Sequence, residues 1–177
     1  MNFEGKIAVI TGSSAGIGAE AAKKITSLGG RVTINYSKSK EAAEEVAHEC
    51  PRLGETPLII KADIARDEGC KHLIDSAFSE FNAINILINN AGRTKFADHS
   101  NLDALQRDDF ENILALNLNS NYELIKHARP HLAMNRKSSI VNISSVAGLR
   151  GLGSSVAYAA SKGALNSMTL ALSRSLG

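Results

Sequence analysis

Short apolar runs alternate along the chain with longer amphipathic stretches. Ile7-Ala8-Val9-Ile10 is continuously apolar, the pattern of a strand covered on both faces rather than half exposed. A helix is expected from about Gly16 to Leu28, closed by Gly29-Gly30, where glycine relieves the left-handed strain of a C-cap. Arg31 to Asn35 predicts a second strand. Ser39 stands where it can cap a helix over Lys40 to about Glu49, and Glu41, Glu44 and Glu45 complement the positive end of that helix. Pro51 and Gly54 mark its end. Leu58-Ile59-Ile60 predicts strand three, Asp67 to Phe81 a helix, and Ile86-Leu87-Ile88 strand four. After a polar stretch from Asn90 to about Asp103, a helix is expected from Asp108 to Asn135, interrupted near Asn117-Leu118-Asn119. Ser139 to Ile143 predicts strand five. A loop bearing Gly148, Gly151 and Gly153 leads into a last helix, about Val156 to Leu176, with Gly177 at its C-cap.

Short strands joined by helical crossovers lie parallel, and the right-handed crossover rule places helices on both faces. The fold class is therefore α/β, a doubly wound parallel sheet of Rossmann-like type, with residues 1–177 forming one domain. Ligands of such sheets sit outside the carboxyl ends of the strands, where the strand order reverses.

Composition changes this picture little. Apolar residues make up 44% and charged residues 21%, as in ordinary globular domains, and the net charge of +2 is too balanced to imply nucleic acid or a membrane surface as partner. The two cysteines, Cys50 and Cys70, are not in Cys-x-x-Cys spacing and support neither a disulfide scaffold nor a zinc site. No apolar run approaches the ~20 residues of a membrane span. The N-terminal residues lack the pattern of a signal peptide, so a cytoplasmic location is expected.

The chemistry-bearing residues gather where that fold needs them. Thr11-Gly12-Ser13-Ser14-Ala15-Gly16-Ile17-Gly18 follows strand one and opens the first helix, where a pyrophosphate would meet the helix N-terminus. Gly12 suits the sharp turn, Gly16 a close approach of backbone to phosphate, and Gly18 close packing of helix on sheet. A glycine-rich turn at this spacing is also compatible with a merely tight turn. Tyr158 and Lys162, four residues apart, project from one helix face. An ammonium beside a phenol favours the phenolate, which lets such a pair trade protons. A surface pair with a solvated lysine is the plainer reading of the same spacing. Ser145, thirteen residues before Tyr158, lies at the carboxyl edge of strand five, where a hydroxyl can stabilise charge developing on a substrate oxygen. Ser144 is its competitor, and alternation along a strand points the two apart. Asn89-Asn90-Ala91-Gly92 ends strand four. Its amides can satisfy strand backbone, and Gly92 allows close approach of a flat ring.

At these separated positions the chain resembles the short-chain dehydrogenase/reductase superfamily, in particular its 3-oxoacyl-carrier-protein reductase-like carbonyl reductases. Thr11-Gly12-x-x-x-Gly16-Ile17-Gly18 is similar to the cofactor motif, Asn89-Asn90-Ala91-Gly92 to the strand-four motif, and Asn117, Ser145, Tyr158 and Lys162 to the catalytic tetrad. The resemblance implies hydride transfer between NADP(H) and a carbonyl or secondary alcohol. Tyr158 would act as general acid/base, Lys162 would bind the nicotinamide ribose, Ser145 would hold the carbonyl, and Asn117 would help hold a relay water. It also implies cofactor contacts at Gly12, Ser14, Gly16, Ile17, Gly18, Asn90, Ala91 and Gly92, with Asp63 and Ile64 at the adenine. Asn117 can equally bend its helix through its own hydrogen bonds. A catalytically silent nucleotide-binding or oligomerisation protein that retains the fold is the alternative.

The end of strand two bears on the choice of dinucleotide. An acidic side chain there would favour NAD, but the segment reads Asn35-Tyr36-Ser37-Lys38-Ser39-Lys40, whose hydroxyls and cations suit a 2′-phosphate. NADP is expected over NAD, with Asn35, Ser37 and Lys38 as contacts. Ala15 departs from this, since many NADP-using members carry a basic residue before the middle glycine.

His127 and His131, at i and i+4, could clasp a metal, but no matching carboxylate pattern accompanies them, and no metal is expected. Ala160, Gly163, Ala164 and Ser167 form a stripe of small residues on the last helix that permits close approach of another helix, so a homo-oligomer, dimer or tetramer, is expected. Family members continue past the position of Gly177 with two strands and a substrate-covering segment. Residues 1–177 are therefore expected to form the dinucleotide-binding and catalytic domain without that C-terminal part.

Overall fold

The computed structural model describes residues 2–51, 56–135 and 137–176. Gly54 and Gly177, expected at helix ends, lie outside them. In chain order the elements are β1 (Ile7–Ile10), α1 (Gly16–Ser27), β2 (Arg31–Tyr36), α2 (Lys40–Glu49), β3 (Leu58–Lys61), α3 (Asp67–Phe81) and β4 (Ile86–Asn89). They continue with α4 (Arg107–Leu114), α5 (Ser120–Ala133), β5 (Ser139–Asn142), α6 (Ala147–Arg150) and α7 (Val156–Leu176). The strands form one five-stranded sheet in the order β3-β2-β1-β4-β5, every pairing parallel. The chain winds outward from β1 through β2 to β3, then crosses to β4 on the other side of β1. The β1/β4 junction is thus the point where strand order reverses, and a crevice opens there.

Period-two alternation divides the core between the two faces of the sheet. Ala8 and Ile10 of β1 pack with Val32 and Ile34 of β2 under Ala22 and Ile25 of α1 and Ala43 and Val46 of α2. Val9, between them in sequence, points the other way, joining Leu87 with Leu73, Ile74 and Ala77 of α3 and Leu124, Ile125 and Ala128 of α5. Each fully buried aliphatic chain contributes about 1.5–3 kcal/mol relative to exposure.

Several local expectations need correction. The interruption expected near Asn117 is present, and its form is a π-helical segment, Ala115–Asn119, through which α4 passes into α5. An extra residue is absorbed there without losing the helix, a device that is frequent at functional sites. Ser39 precedes α2, but its side chain makes no capping bond. The glycine loop before α7 holds the short helix α6, and a 3-10 turn, Leu102–Ala104, sits in the stretch that reads as loop. Gly148 lets α6 lie against α7, because a Cβ there would stand 2.5 Å from the Lys162 carbonyl carbon. Gly163 faces Gly148 in that contact, so it belongs to the α6/α7 packing rather than to a free stripe of small residues. A Cβ on Gly69 in α3 would collide with the Asp63 carbonyl, a close approach that the reading of α3 as a plain helix does not anticipate.

Candidate active site

The β1–α1 turn is built on its glycines. Gly12 and Gly16 have φ of +59° and +57°, the left-handed region that L side chains rarely adopt. A Cβ on Gly12 would also lie 3.0 Å from Cα and Cβ of Ala91, so this turn rests directly on the loop after β4. Gly18 packs against something other than sheet: a Cβ there would stand 2.5 Å from Nδ2 of Asn90. That amide donates to the carbonyls of Thr11 at 2.9 Å and Gly12 at 3.2 Å, while Oγ1 of Thr11 accepts the N–H groups of Asn90 and Ala91, both at 3.0 Å. Asn90 thus clasps the turn to the end of β4.

Asn35 braces the same turn from β2. Its buried Oδ1 accepts the Gly12 N–H at 3.1 Å and its Nδ2 donates to the Ala62 carbonyl at 3.2 Å. Its side chain is therefore engaged within the protein. Between these elements lies a cleft of about 250 Å³. Of the residues singled out in the sequence, Gly12, Ser14, Asn35, Ser37, Asp63, Ile64, Asn90, Ala91 and Gly92 line it. Gly16, Ile17, Gly18 and Lys38 stand outside that lining; Ile17 is 65% exposed at the start of α1 and Lys38 is exposed beyond β2. Tyr36, Ala62, Arg93 and Leu116 complete the walls. Arg93 adjoins the Asn-Asn-Ala-Gly motif but carries no signal of its own in the sequence, because no periodicity or spacing marks a loop arginine.

Gly92 connects the cleft to the predicted tetrad: a Cβ on it would lie 3.3 Å from Oδ1 of Asn117 and 3.8 Å from Nζ of Lys162. Lys162 is buried, its Nζ donating to the Ile143 carbonyl at 2.7 Å and lying 5.8 Å from the centroid of the Tyr158 ring. Burial disfavours the charged form and holds this ammonium below the usual lysine value of 10.5. Tyr158 occupies the first turn of α7, where its N–H donates to Oγ of the buried Ser155 at 3.3 Å, an N-terminal cap that fixes the helix start.

The two serines make different bonds, and both lie beyond the end of β5 at Asn142, outside the strand whose alternation was expected to separate them. Ser144 donates to Oδ1 of Asn166 at 2.6 Å and is committed to α7. Oγ of Ser145 accepts the Ala147 N–H at 3.1 Å, and among the described residues its own proton has no acceptor. A Cβ on Gly153 would touch both Ala147, at 3.1 Å, and Cδ1 of Tyr158, at 3.8 Å, so the start of α6 and the Tyr158 ring flank one small gap. Asn117 is fully buried in the π-helical segment. Its Oδ1 accepts the Arg93 N–H at 2.8 Å, and its Nδ2 donates to the Arg93 carbonyl at 2.9 Å and to Ser161 at 3.0 Å.

The histidine pair diverges. His131 stacks on Phe78 with ring centroids 3.9 Å apart, whereas Nε2 of His127 meets Oδ1 of Asp67 at 2.8 Å. Asp67, Glu123 and His127 bring one ligand atom each within 4.8 Å of one another, and Lys126 pairs with both carboxylates. The Asp67 carboxyl is held below its ordinary range, first by the His127 bond. No helix among the described residues is long and apolar enough to cross a membrane.

A doubly wound parallel sheet with a cleft at its reversal point, and Asn117 and Lys162 beside Gly92 in the lining of that cleft, defines a Rossmann-like α/β protein. The chain belongs to the short chain dehydrogenase family, an oxidoreductase family whose model matches residues 6–177. It is similar to the short-chain dehydrogenase/reductase FrzI of Cladobotryum sp, with 36% identity over 172 residues, 97% of this chain and 65% of that protein. It is also similar to the 3-oxoacyl-[acyl-carrier-protein] reductase FabG of Staphylococcus epidermidis, with 30% identity over 171 residues, 97% of this chain and 69% of the relative. The chain thus spans about two thirds of these relatives. Among solved structures, a short chain dehydrogenase from Burkholderia cenocepacia in complex with NADP superposes with a TM-score of 0.92 at 34% identity, covering 100% of this chain and 71% of the other. An NAD+-bound xylitol dehydrogenase gives 0.91 at 26%, covering 99% and 66%.

Proposed function

We propose that residues 1–177 form the cofactor-binding and catalytic domain of an NADP(H)-dependent carbonyl reductase acting on a small-molecule ketone or its secondary alcohol, resembling 3-oxoacyl reductases. The observation that carries this reading is the position of Lys162: a buried ammonium on the same helix as Tyr158, less than one side chain's width behind Gly92 at the end of the cleft.

The residues present fit a dinucleotide. The first turn of α1 holds no acidic side chain to repel a phosphate, and a Cβ would fill the space at Gly92. No carboxylate ends β2, and the exposed Ser37 and Lys38 follow it, which supports a 2′-phosphate and hence NADP over NAD. When bound, NADPH supplies the hydride that reduces a carbonyl carbon. Tyr158 donates its phenolic proton to the carbonyl oxygen, and the neighbouring ammonium of Lys162 steadies the phenolate left behind. Ser145 holds that oxygen through its uncommitted hydroxyl proton as negative charge develops there. Asn117 holds the loop after β4 against α7, which keeps Gly92 beside Lys162. In alcohol oxidation the Tyr158 phenolate accepts the hydroxyl proton, and the hydride passes to the oxidised dinucleotide when that is bound.

NADPH oxidation by the wild-type chain should be measured against a panel of β-keto thioesters, quinones and simple ketones. Turnover that disappears in Tyr158→Phe while NADPH still binds supports the assignment; activity surviving that substitution would remove Tyr158 as proton donor. Binding without turnover across the panel supports a silent nucleotide-binding protein instead. A homo-oligomer is part of the proposal. Leu118, Tyr122, Ala164, Ser167, Met168 and Ala171 line a groove between α5 and α7, and Tyr122 is half exposed there. Ultracentrifugation showing only monomer would count against it.

A further inference from the structure

We propose that the guanidinium of Arg93 is a phosphate-binding group of the cleft, an inference that rests on the dinucleotide reading above and names a residue that reading does not use.

Charge in the cleft is sparse. Among the described residues that line it, only Asp63 and Arg93 carry ionised side chains. A dinucleotide brings several negative charges, so Arg93 is the one lining cation available to meet them. The other cations near the site are committed or displaced. Lys162 donates to the Ile143 carbonyl at 2.7 Å, Lys95 pairs with Asp109 at 2.6 Å, and Lys38 lies outside the lining. On the glycine-rich wall the residue before Gly16 is Ala15, which offers no charge.

Arg93 is free where these are not. Its side chain is exposed, and among the described residues its guanidinium has no hydrogen-bond or ion-pair partner. Its backbone is the opposite: Asn117, fully buried, holds both its N–H and its carbonyl. The side chain therefore swings from a fixed root at the rim of the cleft, and only its rotamers need ordering when an anion arrives. The planar fork of arginine matches two phosphate oxygens at once, which a lysine cannot do. The phosphate could belong to the dinucleotide or to a phosphate-bearing arm of the substrate, and affinity measurements separate the two.

Dissociation constants for NADPH and NADH are measured by fluorescence titration on wild type, Arg93→Leu and Arg93→Lys. KM is measured for a phosphopantetheine-bearing β-keto thioester and for an uncharged ketone. Loss of a charge-assisted bond should weaken binding by about tenfold or more in Arg93→Leu, with Arg93→Lys between it and wild type. Weakening of both dinucleotides places Arg93 at the pyrophosphate, and weakening of NADPH alone places it at the 2′-phosphate. Unchanged dinucleotide affinity with a raised KM for the phosphate-bearing thioester alone places it on the substrate. If wild type binds dinucleotide and both variants match it in every parameter, the inference is overturned while the oxidoreductase reading stands. If wild type binds neither dinucleotide, that reading falls and this one falls with it. Unchanged thermal unfolding of the variants shows that the exposed position tolerates them.

Discussion

Asn117 and Arg93 are joined like a base pair: one buried amide side chain bonds both the N–H, at 2.8 Å, and the carbonyl, at 2.9 Å, of a residue 24 positions away. The same amide reaches Ser161, whose hydroxyl donates to the Tyr158 carbonyl at 2.7 Å. The loop after β4, the π-helical turn and the first turns of α7 are thereby held as one body.

Replacing Asn117 with Ala should be costly. It removes the partner of the part-buried N–H and carbonyl of Arg93, while Ser161 keeps its bond to the Tyr158 carbonyl, and each unsatisfied group costs roughly 1–3 kcal/mol. We expect a loss of about 2 kcal/mol or more in chemical denaturation. A loss indistinguishable from that of an exposed Asn→Ala control such as Asn119→Ala would show that the brace is not stabilising.

Ser37→Asp tests the cofactor preference from the opposite side to Arg93. A carboxylate at the end of β2 repels a 2′-phosphate and can accept from ribose hydroxyls. NADPH should bind roughly tenfold more weakly while NADH holds or improves, as read by titration. Equal effects on both dinucleotides would place the 2′ position elsewhere.

Lys162 should leave a signature in the alkaline pH dependence of stability. Its native pKa is lowered by burial, while the unfolded chain keeps the ordinary 10.5. Below the native pKa both states carry the proton, and the burial penalty is fully present. Between the native pKa and 10.5 the unfolded chain binds more protons, so stability rises with pH and levels off above 10.5. Unfolding free energies of wild type minus Lys162→Met should therefore climb through that window. A flat difference would mean that the ammonium is not penalised.

Both cysteines should be silent in the native protein. Burial pushes the Cys70 thiol up to about 12 and raises that of Cys50 as well. At pH 8 a thiol with such a value is thiolate at a fraction on the order of 10⁻⁴. Ellman's reagent should therefore label neither until denaturant is added. Rapid labelling under native conditions would contradict their burial.

Strand positions were readable because burial on both faces of a parallel sheet demands an unbroken apolar run, as in Ile7–Ile10 and Ile86–Ile88, and their boundaries shift by only a residue in the fold. The division between Ser144 and Ser145 was not readable in this way, since both lie past the end of β5, where strand alternation no longer sets which way a side chain points. The π-helical turn was less legible. Asn117 signalled a disturbance, but one that bonds Arg93 and Ser161 leaves the helix continuous, which no neighbouring residue reveals.

The chain's order of apolar runs and glycines determined the doubly wound architecture and the positions of Tyr158 and Lys162 on one helical face, because these follow from periodicity over a few residues. Tertiary structure alone decided that Asn35 and Asn90 spend their amides bracing the turn, that Gly18 makes room for Asn90, and that Arg93 stands in the lining of the cleft. Those roles depend on which polar groups lie close after distant segments close on one another. A hydrogen bond across 79 positions, from Asn90 to the Thr11 carbonyl, has no local pattern in the sequence to announce it.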